Sequence, residues 1–222
     1  AMPLPEALFS ALTELQADIE AGYPTPSGAV MVPRSVWIDS GWMREVVVSW
    51  TKQAGARYVP CFGRGTAQQF GASYYKPKST GARVLFVGQG YHFSKAKTDD
   101  VIHVELHTDH WKSVVHQRLA CPIDSAMAMT LFSASADSHR GFAKHLTAEK
   151  QVTKFIKGKG EKIVWEIVSR NNHYLDSTCY SEAAAHYVGE LIAMATQSDT
   201  DNQNNQTKPG PDNDRPYLIS QR

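Results

Sequence analysis

Two carboxylates stand where acids are unusual. Asp39 closes the apolar run Val36-Trp37-Ile38 and directly precedes Ser40-Gly41. In open α/β sheets, ligands gather outside the carboxyl ends of parallel strands. An acid at such a tip could reach a metal, or it could cap a helix starting near Gly41. Asp176 ends the segment Arg170-Asn171-Asn172-His173-Tyr174-Leu175-Asp176. It shares a helical stripe with Tyr180, Ala183, Tyr187, Leu191 and Met194. A carboxylate facing a core is costly unless it is paired or coordinated; the alternative is a first-turn acid facing the positive helix end. Two carboxylates on rigid elements could together hold Mg²⁺ or Mn²⁺, hard cations that favour oxygen. A pair of such ions about 3.5–4 Å apart activates water and stabilises the leaving oxygen in phosphodiester cleavage.

Other chemistry-bearing residues point less clearly. His103, His107 and His110 are close in sequence, but a strand end and a helix start between them give no clean zinc geometry. Gly88-Gln89-Gly90 and Gly158-Lys159-Gly160 read as turns, because neither has the spacing of a phosphate loop. Cys61, Cys121 and Cys179 lie far apart and form no CxxC pair. That argues against a disulfide framework and a thiolate zinc site, and it suits a reducing compartment. His173, three residues before Asp176, could orient a metal ligand or a water, or equally cap the helix.

The elements that must position these groups follow from periodicity. Leu4, Leu8, Leu12, Leu15 and Ile19 predict an amphipathic helix over 4–21, ended by Gly22. A strand at 36–38, a helix at 42–54 and a strand at 58–62 form a βαβ unit with a parallel pair. Strands are predicted at 84–87 and 101–106, and helices at 109–119 and 138–148. A β-hairpin joins 152–156 to 162–168, and the longest helix runs over 173–196. The class is α/β or α+β with a mixed sheet. Residues 1–197 form one domain, and the polar stretch 198–222 reads as a disordered tail that buries too little apolar surface to order itself. No apolar run reaches the roughly 18 residues of a membrane span.

Charge is distributed unevenly. Residues 52–98 carry Lys52, Arg57, Arg64, Lys76, Lys78, Arg83, Lys95 and Lys97, with no Asp or Glu. Aromatic residues such as Tyr74, Tyr75 and Phe93 are interleaved among them. Residues 1–33 carry Glu6, Glu14, Asp18 and Glu20, and no Lys or Arg. The basic stretch is either a polyanion-binding face or a solvated loop face with core aromatics between the charges. A second cluster, Lys150, Lys154, Lys157, Lys159 and Lys162, lies on the hairpin and is diluted by Glu149, Glu161 and Glu166.

Several segments together resemble the nuclease domain of the large terminase subunit of tailed bacteriophages, of the lambda GpA type. They are Val36-Trp37-Ile38-Asp39-Ser40-Gly41, Arg57 through Gly65, Asp109-His110-Trp111-Lys112, Phe142 through Glu149, and Arg170 through Asp176 entering an Ala-rich helix. The resemblance spans residues 4–190. It implies an RNase H-like mixed sheet flanked by helices and a metal-dependent endonuclease that cuts concatemeric viral DNA during packaging. It assigns catalysis and metal binding to Asp39 and Asp176, with two Mg²⁺ or Mn²⁺ ions in the intact domain. Supporting roles fall to Glu149 and His173, although the family often has Glu where this chain has His173. DNA contacts are expected from Arg64, Lys76, Lys78 and Lys112.

The resemblance also implies partners: double-stranded DNA, an upstream ATPase domain, the small terminase subunit and the portal, in the cytoplasm of a bacterial host. No GxxxxGK[ST] occurs in this chain, so a packaging motor is not expected within it. The family's first acid stands on a strand that has no counterpart here. The chain is therefore expected to lack its first strand or strands, to leave a sheet edge unpaired and to hold an incomplete metal site. Two other readings remain: a non-catalytic DNA-binding or assembly module derived from such a nuclease, or another RNase H-like nuclease such as a junction resolvase.

Overall fold

The computed structural model describes residues 2–25, 27–65, 73–97, 101–156, 158 and 160–206, with 198–206 as backbone alone. Helix α1 (Leu4–Ala21) stops at Gly22, whose φ of +77° suits a residue without a Cβ. A short ribbon, β1 (Tyr23–Pro24) with β2 (Val30–Met31), follows. Strand β3 (Val36–Asp39), helix α2 (Arg44–Ala54) and strand β4 (Tyr58–Arg64) form the expected βαβ unit. The parallel register runs from Val36 opposite Tyr58 to Asp39 opposite Cys61.

Strands β5 (Val84–Val87), β6 (Tyr91–Lys95) and β7 (Ile102–His107) complete a five-stranded sheet in the order β3-β4-β7-β6-β5. β7 runs parallel to β4, while β6 is antiparallel to both β7 and β5. Helix α3 (Thr108–Ala120) leaves β7 directly. Helix α4 (Ala136–Leu146), the separate hairpin β8 (Glu149–Ile156) with β9 (Gly160–Ile167), and helix α5 (His173–Gln206) complete the described elements. A five-stranded mixed sheet with helices on its faces is consistent with the RNase H-like class read from the sequence.

Strand alternation sorts the core into two layers. Val36, Ile38 and Tyr58 pack with Leu12, Ile19, Val47 and Trp50 of α1 and α2. Trp37, Val59 and Cys61 point the other way, into the larger cluster with Trp111 and Val115 of α3 and Leu175, Cys179, Tyr180 and Ala183 of α5. The small side chains of Ala183 and Ala184, both buried, let α5 lie close to this layer. An ion pair between Arg118 and Glu182 ties α3 to α5.

Several boundaries differ from the sequence reading. α2 begins at Arg44 rather than at 42, because Met43 takes a left-handed conformation (φ +48°) and leaves Trp42 exposed. β6 has no counterpart in the sequence reading: Tyr91, His92 and Phe93 are all buried, so the run shows no alternation. The Gly88-Gln89-Gly90 turn connects it to β5. Helical backbone continues to Gln206, past the expected boundary at 197. No Gly or Pro interrupts 198–208, and an established helix adds one hydrogen bond per residue. The remainder of the expected tail, 207–222, lies outside the described residues. No helix among the described residues is long and apolar enough to cross a membrane.

Candidate active site

Parity places Asp39. It is the fourth residue of β3 and shares its face with Trp37, the face covered by α5. The strand tip is held by Ser40, which is 1% exposed; its N–H donates to the Cys61 carbonyl at 2.9 Å and extends the ladder past Asp39. The Asp39 Oδ1 accepts from the Gly41 N–H at 2.9 Å, which pins the carboxylate in an Asx-type turn. It does not cap α2, which starts at Arg44 with no side-chain cap.

Asp176 lies in the first turn of α5, and Tyr180 one turn further along the same face. The Tyr180 hydroxyl donates to Asp39 Oδ1 at 3.4 Å and so connects helix to strand tip. Gly63 makes room for it: a Cβ there would stand 2.8 Å from the Tyr180 hydroxyl and 2.7 Å from Thr108 Cγ2. Burial first, then the neighbouring Cys61 thiol and the Asp39 and Asp176 carboxylates, push the Tyr180 hydroxyl well above its ordinary value. It therefore stays a donor.

The third acid is Glu149, at the start of β8 and 5% exposed. Lys112 of α3, 7% exposed, donates to both of its oxygens, at 2.7 and 2.8 Å. Asn172 Nδ2 donates to Glu149 Oε1 at 2.8 Å. Lys112 Nζ also lies 3.5 Å from Asp176 Oδ1. Burial pulls the Lys112 ammonium down, but Asp176 and Glu149 outweigh it and the net shift is upward. For Asp176, burial raises the carboxyl, Lys112 lowers it, and the charges of Glu149 and Asp39 raise it further, for a net rise. Asp176 thus lies within the fields of Lys112, Glu149 and Asp39.

Other predicted residues lie elsewhere or differ in setting. Lys112, expected on DNA phosphates, is buried and donates to Glu149. Arg64 Nε is 3.5 Å from Glu105 Oε2, and its guanidinium lies over the Phe62 ring at 5.9 Å. Lys76 and Lys78 are exposed on the loop before β5. His173 is exposed, its ring 6.0 Å from that of His145. Part of the basic stretch, 66–72 and 98, lies outside the described residues. The sequence reading assigned no role to Tyr180, Asn172 or Gly63. Tyr180 stands on the stripe with Asp176, and that spacing was the one available signal.

The donor set can be tested against a divalent ion. Among the described residues, no three His, Cys, Asp or Glu side chains are grouped to hold a metal. Glu149 is occupied by Lys112. Asp39 and Asp176 remain, oxygen donors on rigid elements, and Mg²⁺ commonly takes one or two carboxylates with water and phosphate completing its shell. Their oxygen chemistry is that of hard-cation ligands.

The mixed sheet thus carries Asp39 at a strand tip, with Asp176 and Glu149 around a buried lysine. Residues 5–193 match the family described as terminase large subunit gpA, endonuclease domain, and the chain belongs to that family. No curated protein and no solved structure matches the chain.

Proposed function

We propose that this domain cuts double-stranded DNA in a divalent-metal-dependent reaction, as the nuclease part of a phage packaging enzyme, with Asp39 and Asp176 as its metal ligands. The observation that carries this is the Tyr180–Asp39 hydrogen bond, which joins the β3 tip to α5 one turn beyond Asp176. Mg²⁺ or Mn²⁺ bound there supplies an activated water and stabilises the leaving oxygen. The protein's own groups do the rest. Tyr180 and the Gly41 N–H orient Asp39, and Lys112 neutralises Glu149. The exposed Lys76 and Lys78 offer phosphate contacts that lend affinity without sequence preference. The ATPase domain, small subunit and portal belong to the same proposal as partners of the whole enzyme, in the host cytoplasm.

The test is nicking of supercoiled plasmid in Mn²⁺. Asp39→Ala and Asp176→Ala should each slow it by at least about 100-fold, the scale of losing one preorganised charge-stabilising group. Rates untouched by both substitutions exclude the assignment. One observation favours a second reading, a DNA-binding or assembly module without catalysis: among the described residues, the Lys112–Glu149 pair leaves Asp39 and Asp176 as the cluster's available carboxylates. Salt-dependent DNA binding with no Mn²⁺-dependent nicking would support it.

A further inference from the structure

We infer that Lys112 is the resident cation of the carboxylate cluster, filling with its ammonium the position between Glu149 and Asp176 that a second divalent ion would otherwise occupy. The domain then binds one divalent ion, on the Asp39 side of Asp176. This rests on the reading of Asp39 and Asp176 as metal ligands.

Three observations support it. First, the ammonium has three carboxylate oxygens around it, at 2.7, 2.8 and 3.5 Å. That straddling of both Glu149 oxygens is the arrangement a bidentate carboxylate gives a metal. Second, the group is built in rather than draped over the surface. Lys112 and Glu149 are 7% and 5% exposed, and Asn172 fixes the Glu149 carboxylate from the side. Lysine is buried this far only when paired. Third, the formal charges balance. Three carboxylates and one ammonium leave two negative charges, which one divalent ion neutralises. A second ion beside Lys112 would leave the cluster positively charged, pressed against an ammonium that is only 7% exposed and little screened by water.

A purely structural ion network tying α3, β8 and α5 would show the same distances, so the test counts ions rather than activity. Mn²⁺ bound per chain is measured by electron paramagnetic resonance of the free ion. The measurement uses the wild type, Lys112→Met, Lys112→Arg and the charge-neutral pair Lys112→Met with Glu149→Gln. The expected result is one ion in the wild type and in Lys112→Arg, two in Lys112→Met, and one again in the double variant. Should Lys112→Met unfold without metal, its recovery of helical circular dichroism on adding Mn²⁺, absent in the double variant, reports the same binding.

Two ions in the wild type, or an unchanged count in folded Lys112→Met, overturns the inference. So does the absence of Mn²⁺ from every variant. Asp39→Asn separates the parent reading. A wild-type count that this substitution leaves at one removes Asp39 as a ligand, whereas the comparison across the Lys112 variants still judges the lysine.

Discussion

Tyr180 ties the Asp39 strand tip to α5, and its contribution can be isolated from the fold. Its ring is buried against the sheet, while its hydroxyl makes one long hydrogen bond to Asp39 Oδ1 at 3.4 Å. Tyr180→Phe keeps the packing and removes the donor. Stability should change by no more than about 0.5–1.5 kcal/mol, the net value of one hydrogen bond. Mn²⁺ affinity should fall by roughly 10–100-fold, the usual effect of losing a group that orients a ligand. Equal Kd values in Mn²⁺ titrations of the two proteins would show that the Asx turn at Gly41 holds Asp39 alone. The acids themselves were legible in the sequence, because each broke an apolar pattern. Their helpers were not. Tyr180, Asn172 and Gly63 acquire meaning only once β4 is aligned with β3 and α5 is laid across both. No local pattern encodes that alignment.

At the level of elements, the βαβ unit was legible because its strands and helix differ sharply in period. The start of α2 was not. The helix is entered through Met43 at φ +48° and ψ +45°, a conformation that costs an L-residue about 1–2 kcal/mol. Nothing in the residue type announces this. Met43→Gly relieves the strain but adds freedom to the unfolded chain. The expected net effect is a gain of up to about 1 kcal/mol, read as a higher urea midpoint at constant slope. A clear loss would mean that the half-buried Met43 side chain contributes more by packing than its backbone costs. β6 was hidden for a different reason. It sits between β5 and β7, and Tyr91 to Phe93 are covered on both faces. Central strands of this kind lose the alternation by which a half-exposed strand is recognised.

Over the whole molecule, the titrating groups are arranged so that acid should weaken the fold in two stages. Burial lowers His92, His110 and His116 below the ordinary histidine value, and the buried Nε2 atoms of His110 and His116 find no hydrogen-bond partner among the described residues. A histidine depressed in the folded state contributes stability that is present above its unfolded pKa, near 6.5, and lost as pH falls through the folded value. Glu105 is the second stage. Its neighbour His103, 3.8 Å away, draws its carboxyl down, burial opposes this, and the Arg64 guanidinium adds to the lowering; the net result is about 2. Its contribution is present above the ordinary glutamate value and disappears between about pH 4.5 and 2. Asp176 has the opposite sign, since its raised carboxyl stabilises the fold as it protonates. Its window opens at the ordinary aspartate value and extends upward, so it offsets part of the loss as pH falls. Urea unfolding should give a lower free energy at pH 5.5 than at pH 7.5, by roughly 1 kcal/mol for each unit of histidine depression. His116→Phe, which keeps a ring against Trp165, should reduce that loss. A stability that is level across this window, or a variant as acid-sensitive as the wild type, would show that the buried imidazoles find water on protonation and carry no linkage.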